Sequence, residues 1–219
     1  MKTKGLILIL TVSLFSSCIV KSLQPFYTKA SLKFNEKLLG SWTDNKNGQW
    51  TIASVRDEFI KDRKEGIEFS EDDKKAFQNY KDGYIINYVK KDNEAGFIAM
   101  PFKIDQQYFL DFIPIEIDDE EINSLAAEHL LKTHSVAKLD FTKDDAVRLS
   151  WLSEEKITDL INANRMRLKH ERIGPEEILL LSAKSEELYA FLEKYLSSNV
   201  EDKWKKSDML TLVNTNAKP

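Results

Sequence analysis

Apolar and polar residues alternate along much of the chain between residues 39 and 113. Runs rich in aromatic and β-branched residues, which are typical of strands, cover positions 40–43, 49–55, 84–89, 95–104 and 108–113. Asn47 and Gly48 separate the first two runs, and both residues tolerate the positive φ of a hairpin turn. The pattern predicts antiparallel strands that pair in sequence order.

A segment dense in charged side chains, at residues 56–82, interrupts these strands and carries few apolar residues. We interpret it as a solvated insertion into the sheet. Within it, Ser70 followed by Asp73 has the spacing of a capping box, in which each side chain bonds a free backbone amide of the first helical turn. This spacing predicts a short helix over residues 71–80.

Beyond residue 118 the apolar spacing becomes helical, with strand-like runs between the helices. One helical face is predicted from about residue 120, and its members are Ile122, Leu125, Ala126, His129 and Leu130. Ser153 and Ser185 are favourable N-caps for two further helices. Further strands are predicted at 136–141, 146–151, 166–171, 177–182 and 210–213.

Together these elements predict an α+β fold. Antiparallel sheet dominates the N-terminal half, and strand pairs alternate with helices in the C-terminal half. We expect a β-rich part at residues 38–117, which contains the charged helical insertion 56–82, and an α+β part at residues 118–213. The two parts are expected to pack as one unit, followed by a tail at 214–219.

The first residues have the layout of a secretory signal peptide, predicted here at residues 1–17. Lys2 and Lys4 precede an apolar run at 5–15, and the small residues Ser16 and Ser17 stand just before Cys18. The apolar run is too short to span a bilayer, which takes roughly 20 apolar residues. A conventional cut near Ser17 that passes over the cysteine is one alternative.

The other alternative follows from Cys18, because a cysteine directly after small residues resembles the signal of bacterial lipoproteins. The resemblance implies cleavage before Cys18, acylation of the new N-terminus and attachment to a membrane through that lipid. Residues 19–22 lack the aspartate that favours the inner membrane in such proteins, so the resemblance implies the outer membrane, facing the periplasm. Residues 18–37 are then expected to form a lipidated tether.

The charge balance and the cysteine content of the chain exclude some classes of function. Removal of Lys2 and Lys4 with the leader leaves 30 basic side chains from the 32 of the full chain, against 36 acidic ones, a net charge of −6. This acidic balance argues against a nucleic-acid partner, because phosphates select basic surfaces. Cys18 is the only cysteine, so the chain has no disulfide and no cysteine-based metal site.

Several longer stretches resemble a family of uncharacterised bacterial outer-membrane lipoproteins. They lie at residues 22–28, 38–42, 109–114, 129–131 with His134, 147–152, and the Leu-Leu-Leu-Ser-Ala run at 179–183. The resemblance covers nearly all of the mature chain and implies a shared architecture and membrane attachment, without assigned catalytic residues. Leu-Gly-Ser-Trp at 39–42 is also similar to the first-strand motif of lipocalin-type (calycin) barrels, although helices after residue 118 do not fit a simple barrel.

Candidate catalytic and metal-binding groups are few. His129 and His134 are five residues apart, which is not the spacing that directs two imidazoles from one helix to a metal. His129 lies on an apolar face, which favours a core histidine over a ligand or base. The acidic run at 118–121 and the loop at 44–48 lack the ligand spacing of a calcium loop. We therefore predict no metal and no cofactor.

Asp111 lies between Leu110 and Phe112 in a predicted strand and allows two interpretations. The carboxyl could face a cavity and act as an acid or base with a shifted pKa. Strand alternation favours the other interpretation, in which it points to solvent on the other face. Neither a nucleophile elbow nor a glycine-rich phosphate loop occurs elsewhere in the sequence.

The functional prediction is a non-enzymatic binding or assembly module, anchored in the envelope through Cys18, whose partner is an unknown envelope protein or a hydrophobic ligand. Two alternatives remain open: an envelope hydrolase that uses carboxylates or His129 with Asp111, and a lipocalin-like binder of a hydrophobic ligand. The tryptophans could either fill a core or wall an apolar pocket. The predicted pocket comprises Trp42, Trp50, Phe97, Phe109, Asp111 and His129.

Overall fold

A computed structural model describes residues 19–115 and 131–215 of the chain. Its strands are β1 (Lys21–Ser22), β2 (Gly40–Asp44), β3 (Gln49–Ser54), β4 (Tyr84–Lys90), β5 (Asn93–Ile104), β6 (Gln107–Pro114), β7 (Ser135–Phe141), β8 (Val147–Trp151), β9 (His170–Ile173), β10 (Ile178–Leu181) and β11 (Leu210–Asn214). Its α-helices are α1 (Val55–Lys64), α2 (Glu71–Tyr80), α3 (Glu154–Asn162) and α4 (Ser185–Ser197). The helix predicted from about residue 120 lies outside the described residues.

Eight of these strands form a closed antiparallel barrel in the order β11-β2-β3-β4-β5-β6-β7-β8. The barrel closes through β11, in which Leu212 is paired with Asp44 of β2 on one side and with Val147 of β8 on the other. The prediction of an α+β fold, in which strand pairs alternate with helices in the C-terminal half, is therefore wrong. Three strands from the second half join the five from the first half, because closure removes both free edges of the sheet.

Alternation along the barrel strands sends one set of side chains inward, where they form the first core. An eight-stranded barrel is just wide enough inside for side chains to fill it. Every barrel strand contributes buried residues to this interior, β5 only Ala99 and β11 only Leu212. The buried members are Leu38, Trp42, Trp50, Ile52, Tyr84, Ile86, Ala99, Leu110, Phe112, Ala137, Leu139, Val147, Leu149, Trp151 and Leu212.

A second core lies outside the barrel, on the outward faces of β5, β6 and β7. There Phe102 and Phe109, which are paired across β5 and β6, stack with ring centroids 5.3 Å apart. A small sheet in the order β1-β10-β9 and the helices α3 and α4 supply the other residues of this core. Leu179 and Leu181 of β10 are fully buried in it, as the continuous apolar run in that strand suggests.

The N-terminal segment, predicted as part of a tether at 18–37, is packed against the body in its described residues. Val20, Ser22 and Phe26 are each at most 1% exposed. β1 pairs in parallel with β10, and the backbones of Ser22 and His134 exchange two hydrogen bonds, of 2.9 and 2.8 Å. The segment covers the apolar outer face of the barrel, which would otherwise be open to water.

The charged insertion forms two helices, one more than predicted, and α2 has the predicted bounds. Ser70 accepts from the Asp73 amide at 3.1 Å and completes the predicted capping box. The two helices meet through Phe59, whose ring stacks on Phe69 at 4.1 Å and on Phe77 at 4.0 Å. Among the described helices, none is both long and apolar enough to cross a bilayer.

Candidate functional site

The residues predicted to wall one pocket lie on two sides of the barrel wall. Trp42 and Trp50 point into the barrel, and Phe97 is half-buried against the same core. Phe109 and Asp111 alternate with interior residues of β6 and therefore face outward, into the second core. His129 and Cys18 lie outside the described residues. The described members of this set therefore do not line one pocket.

Both tryptophans of the barrel interior have their polar atoms satisfied. Trp42 Nε1 donates to the carbonyl of Leu38 at 2.9 Å, and Trp50 Nε1 donates to Oδ2 of Asp44 at 2.9 Å. The other carboxylate oxygen of Asp44 accepts from the amides of Lys46 and Gly48, each at 2.8 Å. Asp44 thus fixes the β2–β3 turn, and the tryptophans act as core residues rather than as a sugar-stacking surface.

Asp111 lies on the outer face of β6 and is fully buried there. The interpretation that it points to solvent is therefore wrong, although its side chain does face away from the barrel interior. Its Oδ1 lies 2.6 Å from Nδ1 of His134, and its Oδ2 accepts from the amide of Phe26 at 2.7 Å. Burial raises the pKa of Asp111, and the hydrogen bonds from His134 and Phe26 partly offset that rise. The structure pairs Asp111 with His134, a partner that the sequence analysis did not assign to it.

This buried pair is placed to hold the fold together. Asp111 is 0% and His134 is 9% exposed, beneath the packed N-terminal segment. A substrate would have to displace that segment to reach the carboxylate. Asp111 of β6 accepts from the amide of Phe26, and the backbone of His134 bonds Ser22, so the pair holds the N-terminal segment to the barrel. We assign it a structural role.

A groove outside the barrel has the features of a ligand site. It lies between the C-terminal end of α3, the connecting residues 164–169 and one face of α4, and its volume is about 660 Å³. Its floor is apolar and aromatic and consists of Leu160, Met166, Leu168, Ala190, Phe191, Tyr195 and Val200. We call it the α3–α4 groove. Its size lies within the range of small-molecule sites.

Local structure explains why the groove forms. α3 begins at the Ser153 cap, whose hydroxyl accepts from the Lys156 amide at 3.3 Å, and it ends at Asn162. The amides of Arg165 and Met166 then both turn back to the carbonyl of Leu160, at 2.8 and 3.1 Å. This turn directs the following residues away from the end of α3 towards β9, which leaves a gap beside α4.

Tyr195 of α4 is the unusual residue of this groove. The residue is only 4% exposed, and its buried hydroxyl has no hydrogen-bond partner among the described residues. Burial raises the pKa of Tyr195 to about 12. A buried hydroxyl without a partner is uncommon, because it loses its hydrogen bonds to water and gains none in return. The lining of the groove thus includes a residue whose enclosed hydroxyl lacks a partner among the described residues.

Four cationic side chains surround the groove. Arg165, Arg167 and Lys169 alternate with the floor residues of the connecting segment, and Lys194 comes from α4. None of the four forms an ion pair with a residue in the described ranges. The acidic residue in the lining is Glu187, whose carboxylate accepts from the Lys184 amide at 3.0 Å. The groove is therefore basic in a chain whose net charge is −4.

Sequence reasoning missed this groove, although a signal for it exists. The order Arg-Met-Arg-Leu-Lys at 165–169 alternates basic and apolar residues, and most of it falls in the strand predicted at 166–171. In the structure, β9 begins only at His170. The alternation of exposure is real, but it separates a charged rim from an apolar floor. Within the described residues, no group of three or more His, Cys, Asp or Glu side chains is placed to hold a metal ion.

Comparisons with known proteins returned nothing. No protein-family model matches the chain, and neither the curated proteins nor the solved structures contain a significant match. The resemblance to bacterial lipoproteins therefore stays a prediction. The closed eight-stranded barrel is compatible with one alternative from the sequence, a lipocalin-like binder. This compatibility depends only on the strand pairing observed in this chain.

Proposed function

We propose that this protein is a binding module that takes the apolar chain of an amphiphilic ligand into the α3–α4 groove. The observation that carries the proposal is a groove of about 660 Å³ whose lining combines apolar and aromatic side chains with basic ones. Tyr195 belongs to this lining, and its buried hydroxyl has no partner among the described residues. Apolar floors with few polar groups are typical of ligand sites. The barrel interior is filled by its own side chains, so the ligand site lies outside it.

A binding function is favoured over hydrolysis by the position of the one buried carboxylate–imidazole pair in the described residues. Asp111 and His134 lie under the N-terminal segment, and neither residue belongs to the groove lining. General acid–base catalysis needs a group within hydrogen-bond reach of the substrate. A ligand in the groove would not contact this pair.

We also propose that a lipid on Cys18 anchors the protein to a membrane, as the resemblance to lipoprotein signals implies. Ile19, the first described residue, forms a β-bridge with Ser153, the cap of α3. α3 has nine residues and so is about 14 Å long at 1.5 Å per residue. The far end of α3 contributes to the groove, which would place the groove about one short helix away from the anchor and favour exchange of amphiphiles with the bilayer.

The groove is tested with the neutral fluorescent probe N-phenyl-1-naphthylamine, which brightens in apolar surroundings. The change is Ala190→Trp, because Ala190 lines the groove and an indole there would fill it. We expect at least a tenfold loss of probe affinity. The matched control is Glu193→Trp, which adds the same side chain at an exposed position of α4 and should leave binding unchanged.

Two results would overturn this proposal: no probe binding by the wild-type protein, or equal binding by Ala190→Trp and the wild type when both show the same thermal unfolding transition. The anchor is tested separately by membrane fractionation of the full-length protein with Cys18→Ala. We expect the variant to move from the membrane to the soluble fraction. An unchanged distribution would contradict lipid attachment at Cys18 without bearing on the groove.

A further inference from the structure

We infer that the α3–α4 groove selects amphiphiles whose head group is an anion, either a phosphate or a carboxylate. This inference rests on the proposed function and adds the chemistry of the head group. Arg165, Arg167, Lys169 and Lys194 surround a groove with an apolar floor. A ligand with a single anionic head and an apolar chain matches both features at once.

The connecting segment separates the two functions residue by residue. Arg165, Arg167 and Lys169 are exposed, whereas Met166 is half-buried and Leu168 is buried. Side chains on the same side of an extended segment are about 7 Å apart. An anionic head at the mouth can therefore approach two neighbouring cations while its chain lies against the floor.

The chemistry of these side chains suits an oxyanion. Arginine offers a planar fork of donors that can bind a carboxylate or phosphate through two parallel hydrogen bonds. The Tyr195 hydroxyl stays protonated at neutral pH, because burial raises its pKa to about 12. It is enclosed in the free protein and has no partner among the described residues, so it gains a ligand oxygen as its acceptor only when the ring turns towards the groove.

Within the described residues, some cations elsewhere on the protein form ion pairs, unlike the four at the groove. Lys138 lies 2.8 Å from Asp140, and Lys206 lies 2.6 Å from Asp202. Lys194 lies in the last turn of α4, where the helix dipole stabilises a cation without an ion pair. Arg165 and Arg167 lie outside any helix, so this explanation does not extend to them, and they are the residues to change.

The experiment compares ligands that share one dodecyl chain and differ in the head group. Dodecyl phosphate, dodecanoate, dodecyl maltoside and dodecyltrimethylammonium are each titrated below their micelle concentrations, with displacement of the neutral probe as the signal. We expect the two anions to bind at least tenfold more tightly than the maltoside, and the cation to bind most weakly. Inorganic phosphate alone is included, because strong competition by it would assign the site to a free anion and overturn the amphiphile.

The matched variants assign the selectivity to the groove. In Arg165→Gln with Arg167→Gln, we expect at least a tenfold loss of affinity for dodecyl phosphate and no change for dodecyl maltoside. The control is Lys33→Gln with Lys143→Gln, which removes two exposed charges away from the groove and should change neither affinity.

The outcomes separate the two proposals. Equal affinity of the wild type for the anionic and neutral dodecyl ligands would overturn the head-group inference and leave the groove intact. Retention of the anion preference in the double arginine variant would also overturn it. Failure of every dodecyl ligand to displace or bind would instead remove the proposed function itself.

Discussion

The barrel interior and the α3–α4 groove differ in whether their buried polar groups have hydrogen-bond partners. In the barrel, Asp44 accepts three hydrogen bonds, one of them from the indole of Trp50. The Tyr84 hydroxyl likewise bonds the backbone of Asn35, as donor at 2.8 Å and as acceptor at 2.9 Å. In the groove, the Tyr195 hydroxyl has no partner among the described residues.

This difference separates the part of the molecule that stabilises the fold from the part that is available to a ligand. A satisfied buried hydrogen bond contributes roughly 1 kcal/mol, whereas a buried polar group left without a partner costs about 1–3 kcal/mol. These polar groups of the barrel are satisfied, whereas the Tyr195 hydroxyl lacks a partner among the described residues. This arrangement favours binding at the groove rather than inside the barrel. Changes of the same chemical kind should therefore have different effects in the two regions.

The largest expected effect comes from the buried carboxylate that holds the N-terminal segment to β6. Asp111→Ala removes the acceptor of both the Phe26 amide and the His134 ring and leaves a small cavity. We expect the free energy of unfolding to fall by about 3 kcal/mol, measured by chemical denaturation at neutral pH. A loss below about 1 kcal/mol would show that the pair does not hold the N-terminal segment.

Asp111→Asn serves as the matched variant and reveals a pH dependence. Burial raises the pKa of Asp111 above its ordinary value of 3.8, so the folded state holds this proton more tightly than the unfolded chain does. The resulting stabilisation is complete below that ordinary value and is lost as the pH rises through the folded pKa. The other titratable side chains next to this carboxyl, His134 and Tyr27, are present in both proteins. We expect the stability of the wild type relative to Asp111→Asn to fall as the pH rises from 4 to 8, and a constant difference would contradict this.

A smaller effect is expected for Trp50→Phe inside the barrel. The change keeps an aromatic ring but removes the indole donor to Asp44, and it leaves a buried carboxylate oxygen without that bond. We expect a loss of about 1–2 kcal/mol in the free energy of unfolding. Trp204→Phe is the control, because the half-buried Trp204 packs against the second core and its indole has no hydrogen-bond partner among the described residues. Equal losses in both variants would mean that ring size rather than the hydrogen bond sets the effect.

Local pattern predicted the strands better than it predicted their partners. The alternation at 49–55, 84–89 and 95–104 lies within or beside β3, β4 and β5, and the capping box placed α2 at its observed bounds. Closure through β11 could not be foreseen, because Leu212 pairs with Asp44, far away in the sequence, and an alternating strand carries no mark of its neighbour. A local pattern therefore led to an α+β prediction for a closed barrel.

The candidate site was harder to predict for the same physical reason. Asp111 and His134 are separated by 23 positions, and the strand pattern says nothing about which segment covers the outer face of β6. Alternation at 165–169 correctly indicates two sides of an extended segment, yet it does not show that α4 lies beside them. Pairings that depend on packing between distant segments stay hidden until the chain is folded.

The smallest effect on stability is expected for Tyr195→Phe in the groove. The hydroxyl that is removed has no partner among the described residues, so the free energy of unfolding should stay the same or rise by up to about 1 kcal/mol. The matched control in the barrel is Tyr84→Phe, which loses two hydrogen bonds to Asn35 and should lower the free energy of unfolding by about 1–2 kcal/mol.

Binding should show the reverse order. We expect Tyr195→Phe to lower the affinity for dodecyl phosphate about tenfold, because a hydrogen bond to a charged group is worth about 1.5–3 kcal/mol, whereas Tyr84→Phe leaves that affinity unchanged. Equal losses of stability in the two variants would show that the Tyr195 hydroxyl already has a partner in the free protein, and the groove would then be as closed to a ligand as the barrel.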